Sequence, residues 1–300
     1  MPSVDSLLVE KAKALGFIAV GFSRPRRPMH FDHFKAWLAA GKNADMAWLA
    51  RNIDVREDPS RMLSNCRSVI SLAYPYPPAK PQTKDGFSVA RYANPVREDY
   101  HSRLRALCRE LVSFIRERDP RSKSRVCVDT APVMERSLAV AAGLGFLGKN
   151  NLLIIPGYGS YFYLAEIFTT AVIPFDPTEP LAGQCGLCSL CLDACPTGAL
   201  ESPFVLNASR CLSYLTVEYK GALGDDLSER MGKCFFGCDR CQEACPFNKE
   251  GHMPEAVLPS TDEFLNMENS AFQSRFGKTA FARAGLDKLK GNIRAARKGR

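Results

Sequence analysis

Apolar and polar positions in the first two thirds of the chain switch between a helical period near 3.6 and the short runs typical of strands. Leu7 to Leu15 sets apolar residues against Glu10, Lys11 and Lys13, which predicts a helix, and Phe17 to Phe22 predicts a short strand. Phe31, Phe34, Trp37 and Leu38 share one face of a helix reaching Ala40. Ser68 to Ala73 forms a second strand, stopped by the proline-rich stretch Tyr74 to Pro81, and a surface loop is expected to continue through Lys84 and Gly86. A helix over Tyr100 to Arg118 carries Leu104, Leu107, Leu111 and Ile115 on one side. Strand Arg125 to Val128, helix Ser137 to Gly143 and buried strand Tyr161 to Thr170 complete the alternation. No repeat of solenoid period and no low-complexity segment interrupts it.

Three hundred residues with 46% hydrophobic content can bury a proper core, and the natural division is one large domain plus a smaller cysteine-rich one. The N-terminus is amphipathic, not a basic end followed by an apolar run, so neither secretion nor membrane spanning is indicated. Arg26-Arg27 precedes Pro28, Met29, His30, Phe31 and Asp32, which lacks the apolar stretch of a twin-arginine leader. The formal charge of +8 is concentrated between Ala271 and Arg300, where nine Lys and Arg stand against Asp287 alone. The rest of the chain is therefore neutral. Such a cluster suits phosphates, because each one neutralised releases counterions, and it equally suits a solvated helix with a basic tail.

The chemistry lies in the cysteines. Cys185-x2-Cys188-x2-Cys191-x3-Cys195-Pro196, then Cys211, then Cys238-x2-Cys241-x3-Cys245-Pro246 is the spacing of two cubane iron–sulfur clusters. In two-cluster ferredoxins the cysteine before proline serves the opposite cluster. Cys245 thus completes Cys185, Cys188 and Cys191, while Cys195 joins Cys238 and Cys241, and the last ligand is either Cys211 or Cys234. Structural zinc or disulfides are the alternatives, and the Cys-Pro endings favour clusters.

Asp129 follows a predicted strand, where open α/β sheets place ligands, although an Asp there also serves as a helix N-cap. Gly143 to Lys149 matches a phosphate loop only in outline, since Asn150 stands where Ser or Thr would hold magnesium and the segment follows a helix. An ATPase is excluded on that ground. Its glycines, and those of Gly157-Tyr158-Gly159-Ser160-Tyr161, can still bring backbone close to a large planar cofactor, or simply make tight turns.

Taken together, Val128-Asp129-Thr130-Ala131-Pro132, the run Ala142 to Asn150, Tyr158-Gly159-Ser160-Tyr161 with Leu164-Ala165-Glu166, both cysteine runs and Arg210-Cys211-Leu212-Ser213-Tyr214-Leu215-Thr216 resemble epoxyqueuosine reductase. That family is a cobalamin-dependent iron–sulfur enzyme of tRNA queuosine biosynthesis. The resemblance implies an α/β (α+β) cobalamin- and substrate-binding domain over 1–178 and a ferredoxin-like double [4Fe-4S] domain over 179–255. A basic segment over 256–300 would contact tRNA, without the helical-repeat extension many members carry. It implies Cys211 as the eighth ligand, Asp129 as proton donor, and Arg56, Met134, Arg136, Leu153, Leu164 and Ser213 as cobalamin contacts beside Asp129. Lys220 would touch tRNA, and the segment from Arg91 to His101, two residues longer than the family's pattern, leaves the corrin contact there at either Ala90 or Arg91.

The implied activity reduces epoxyqueuosine to queuosine at the tRNA wobble position, in the cytoplasm and as a monomer. Electrons come from an external low-potential donor through the clusters to cob(II)alamin, bound base-off without a histidine ligand. Burial in a dry pocket is expected to keep Asp129 protonated near neutral pH. Two other readings share parts of this pattern: a two-cluster ferredoxin-like carrier, which leaves the N-terminal region without a task, and a cytoplasmic corrinoid reductive dehalogenase, which has no need of a basic tail.

Overall fold

The amphipathic start of the chain folds as α1 (Val4–Ala14), burying Leu8 and Ala12. The computed structural model describes residues 3–95, 98–176, 178–248 and 257–299. After α1 come β1 (Ala19–Ser23), α2 (Phe31–Ala39), the short α3 (Ile53–Glu57) and β2 (Ser68–Pro75). Two brief strands, β3 (Gln82–Thr83) and β4 (Ser88–Val89), precede α4 (Tyr100–Arg118), β5 (Ser124–Cys127) and α5 (Glu135–Ala141). A hairpin of β6 (Phe146–Leu147) and β7 (Leu153–Ile154) leads to β8 (Phe162–Thr169).

The main sheet has the order β1-β2-β8-β5 and every neighbouring pair is antiparallel. Leu8 and Ala12 of α1 with Leu104, Cys108, Leu111 and Ile115 of α4 form one core with Ile70, Leu72 and Ile167 of the sheet. Ala139 and Val140 of α5 join a separate core with Ala73 and Phe162. The ligand-edge rule used for Asp129 belongs to parallel open sheets, so it does not explain this site. Asp129 owes its place to the turn after β5. Helix α4 starts where Asp99 Oδ1 accepts the His101 N–H at 2.9 Å, and it stops before Pro120, whose ring disfavours helix at Asp119.

The second half supplies α6 (Leu190–Asp193), β9 (Leu200–Ser202), β10 (Val205–Leu206), α7 (Leu212–Val217), α8 (Asp225–Met231), β11 (Cys234–Phe236) and α9 (Arg240–Glu243). It ends in β12 (Val257–Leu258), α10 (Thr261–Asn266), α11 (Asn269–Phe276), α12 (Phe281–Ala284) and α13 (Leu286–Lys298). The stretch expected to be surface loop instead contains β3, and a second sheet runs β11-β4-β3-β12, with β4 parallel to β11 and β3 parallel to β12. Strand pairing thus crosses the expected boundaries at 178 and 255. Two-residue strands carry no readable period, which is why this was not visible beforehand.

The basic C-terminal segment is equally integrated. Phe272, Phe276, Phe281, Leu286, Leu289 and Ile293 are buried in one core with Phe235, Phe236 and Phe264, and the Phe236 and Phe281 rings meet edge to face at 5.0 Å. Arg275, Lys278, Arg294, Arg297 and Lys298 are exposed, Lys288 and Lys290 are half-buried, Arg283 pairs with Glu218 at 2.6 Å, and Arg300 lies outside the described residues. Among the described residues no helix is long and apolar enough to cross a membrane.

Candidate active site

The two cysteine runs build the same loop twice. Cys191 and Cys241 sit in the one-turn helices α6 and α9, entered through Ser189 (φ −124°, ψ 4°) and Asp239 (φ −111°, ψ 4°) and left through Ala194 (φ −76°, ψ −8°) and Ala244 (φ −75°, ψ −9°). The thiols then fall into two neighbourhoods. Cys185, Cys188 and Cys191 interact with Cys245. Cys195, Cys211, Cys238 and Cys241 interact with one another, and all four line a cavity of about 500 Å³. Cys234, the rival eighth ligand, is near Cys238 but absent from that wall, and its Sγ donates to the carbonyls of Phe236 (3.7 Å) and Gly237 (3.5 Å). Among the described residues no three His, Cys, Asp or Glu converge to hold one metal ion.

The glycine-rich segment that imitates a phosphate loop serves the cysteine loops instead. Lys149 Nζ donates to the carbonyls of Gly186 (2.6 Å) and Cys188 (2.9 Å), and Asn150 Nδ2 donates to the Cys241 carbonyl at 3.3 Å. A Cβ on Gly145 would stand 2.2 Å from the Ile154 carbonyl, so this hairpin closes only around glycine. The second glycine surface also meets the cysteine region: at Gly159 (φ +98°) a Cβ would stand 2.2 Å from Asn248 Oδ1, which accepts from the Ser160 N–H at 2.6 Å.

Asp129 opens onto the same cavity. It adopts φ +55°, tolerated by Asp better than by most residues. It caps no helix, because α5 starts at Glu135 behind Met134, with no side-chain cap. Its Oδ2 accepts from Tyr100 Oη at 3.1 Å and His101 Nε2 at 3.0 Å and pairs with Arg283 Nη1 at 3.5 Å. Tyr100 is fixed by stacking between Tyr163 (4.2 Å) and His101 (4.1 Å). Burial pushes the Asp129 pKa up, but the His101 hydrogen bond and charge, then Arg283 and Tyr100, outweigh it and hold the carboxyl below its usual range. The expectation of a protonated Asp129 is thereby corrected: protein crowds it, yet with donors, and its side chain is 43% exposed through the cavity mouth.

Behind the turn lies a different pair. The Asp129 N–H donates to Glu135 Oε1 at 2.6 Å, and Glu135 faces Glu166 of β8, which is fully buried opposite Cys127. Neither Glu166 oxygen makes a well-formed hydrogen bond. Burial first, then Glu135, raise the Glu166 pKa well above normal, while burial and the Asp129 charge push Glu135 up to about 7.

Of the other expected contacts, Arg136, Leu153, Leu164 and Ser213 line the cavity with Asp129. Arg136 donates to the Asn151 carbonyl. Arg56 and Met134 are not in its wall: Arg56 is buried, giving Nη1 to the Val133 carbonyl at 3.2 Å and lying over Phe34, and Met134 immediately precedes α5. Arg91 binds Asp239 and Glu243. Lys220 is exposed near Lys288, away from the cavity wall. Tyr100, His101, Glu135, Glu166 and Arg283 were not anticipated. The first two follow the Asp99 cap, a readable signal, whereas nothing in the sequence tied Arg283 to Asp129.

A fold that gathers eight thiols in two neighbourhoods, one of them walling a cavity with an acid, defines an iron–sulfur oxidoreductase. The model of the 4Fe-4S double cluster binding domain matches residues 184–248, and that of epoxyqueuosine reductase QueG matches residues 56–130. The epoxyqueuosine reductase of Cyclobacterium marinum is 37% identical over 262 residues, covering 85% of this chain and 82% of that protein. The solved structure from Streptococcus thermophilus has a TM-score of 0.86 at 30% identity, covering 98% of this chain and 80% of its own. Another epoxyqueuosine reductase, solved with a tRNA-Tyr epoxyqueuosine-modified stem loop, has a TM-score of 0.82 at 33% identity, covering 97% of this chain and 80% of that one. The chain belongs to the epoxyqueuosine reductase family.

Proposed function

We propose that this chain reduces epoxyqueuosine in tRNA to queuosine, with a corrin held in the cavity between the second thiol group and Asp129. The observation that carries the reading is the shared wall: Cys195, Cys211, Cys238 and Cys241 face the same space as Asp129. We assign Cys185, Cys188, Cys191 and Cys245 to one [4Fe-4S] cluster and those four to the other, because thiolate is the donor iron takes and the neighbourhoods match the crossed pairing.

The cavity suits a corrin. Leu152, Leu153, Phe162, Leu164 and Leu212 supply apolar walls, and the buried Asn151 Nδ2 has no partner among the described residues, leaving a donor for an amide substituent of the ring. Cobalamin, when bound, supplies the low-potential two-electron chemistry. The protein relays electrons from an external low-potential donor through its clusters and delivers a proton from the Asp129 carboxyl to the departing oxygen. Both ring nitrogens of His101 face carboxylates and His30 Nδ1 meets Ser137, so base-off binding without histidine fits these two side chains.

Lys220 and the outer faces of the C-terminal helices are assigned to the tRNA backbone. The cytoplasm, where tRNA is modified, is the corresponding location, and one copy of the chain carries every residue invoked. The test is anaerobic reconstitution with iron and sulfide, then incubation with epoxyqueuosine tRNA with and without cobalamin. Queuosine forms only with cobalamin on this reading. Iron uptake without any corrinoid uptake would overturn it.

A further inference from the structure

Reducing an epoxide to an alkene breaks two C–O bonds, forms one C=C bond, and consumes two electrons and two protons. Both protons leave on the same oxygen, as water. Asp129 is the acid on the cavity wall, and a carboxyl holds only one proton. We propose that His101 supplies the two protons one after the other and passes each through the Asp129 carboxylate to that oxygen, making an Asp99–His101–Asp129 relay part of the reaction assigned above.

The geometry points one way. His101 Nδ1 is 2.6 Å from Asp99 Oδ1 and Nε2 is 3.0 Å from Asp129 Oδ2. A neutral imidazole donates from one nitrogen only, so one of these contacts would set a lone pair against a carboxylate; the imidazolium satisfies both. His101 does not line the cavity, whereas Asp129 does, so the histidine acts through the aspartate. The surrounding charges allow it. Arg283, reached from α12 and also paired with Glu218 at 2.6 Å, meets Asp129, and Tyr100 donates to the same oxygen. Arg105 bonds Thr130 at 3.1 Å, and Glu135 takes the Asp129 N–H from behind. Burial opposes the His101 charge, but the hydrogen bonds to Asp129 and Asp99 prevail and raise its pKa to about 9.

Proton flow then has a defined order. The imidazolium gives its Nε2 proton to the Asp129 carboxylate, and the acid so formed protonates the oxygen. Solvent reprotonates His101, and the same transfer serves the second proton.

His101→Gln keeps a donor toward Asp129 but holds no titratable proton. In the reconstituted holoenzyme with epoxyqueuosine tRNA, it should lower kcat by roughly 10²-fold, the low end for general acids, with KM unchanged. The wild-type decline of kcat as pH rises through about 9 should vanish in the variant. His101→Ala should regain turnover in proportion to added imidazolium, an effect a purely structural role would not produce. Histidine-ring NMR, with the His101 signal identified by its loss in the variant among four histidines, should show a charged ring at pH 7.5. Wild-type kcat in His101→Gln, a retained alkaline limb without imidazole rescue, or a neutral ring would each overturn the relay. Wild-type holoenzyme that forms no queuosine would sink the functional reading itself.

Discussion

The cavity wall and the layer behind it contain the same functional groups in opposite circumstances. In front, Asp129 is met by His101, Tyr100 and Arg283 and stays ionised; behind, Glu166 feels only Glu135 and burial, and stays protonated. In front, Cys211 shares the wall with the thiols of Cys195, Cys238 and Cys241, while Cys234 turns its sulfur to two backbone carbonyls. Depth alone does not decide reactivity. The number and sign of neighbouring donors does.

The largest expected break in this comparison is Asp129→Ala, which should cost on the order of 10²–10⁴ in turnover while iron and cobalamin content stay intact; single-turnover conversion of tRNA checks it. Unchanged activity would remove Asp129 from the chemistry. Next, Cys211→Ser should lose one cluster and Cys234→Ser none, as read by iron analysis and paramagnetic resonance of the reduced protein. The opposite result would exchange their roles.

Helix α13 sharpens the contrast on a smaller scale. Deleting it to test tRNA binding would remove Leu289 and Ile293 from the core, so point substitutions are the informative tool. Leu289→Ala should cost about 2–5 kcal/mol in denaturant unfolding. Exposed Arg294→Glu should stay within about 0.5 kcal/mol yet weaken tRNA binding and flatten its salt dependence.

The smallest effect is a pH slope. Glu135 and Glu166 are raised in the folded protein, so the native state binds more protons than the unfolded one, and stability must fall as pH rises. Their contribution is full below about 4.5 and is lost for Glu135 through about 7. The slope is at most about 1.4 kcal/mol per pH unit for one proton. Glu166→Gln should flatten it in unfolding series across that window, and an identical slope would show that the pair does not titrate as described.

How much of this was legible follows from range. The α4 boundaries, set by a local cap and a proline, were read to the residue, and the cysteine spacing announced two clusters because each loop closes within a few positions. Asp129 was visible as a chemical residue, but its protonation was not, because His101 and then Arg283, reaching it from α4 and α12, hold its pKa down. Glu166 was read within a buried strand and the Leu164-Ala165-Glu166 motif; only the packing of α5 revealed a carboxyl facing a carboxyl. The pairing of β3 and β4 with β12 and β11 joins segments far apart in sequence through strands of two or three residues.

Lys149 and Asn150 are neighbours, yet one fastens the loop of Cys188 and the other the loop of Cys241. A single hairpin thus serves as a common clasp for both cysteine loops, so that the position of one constrains the position of the other.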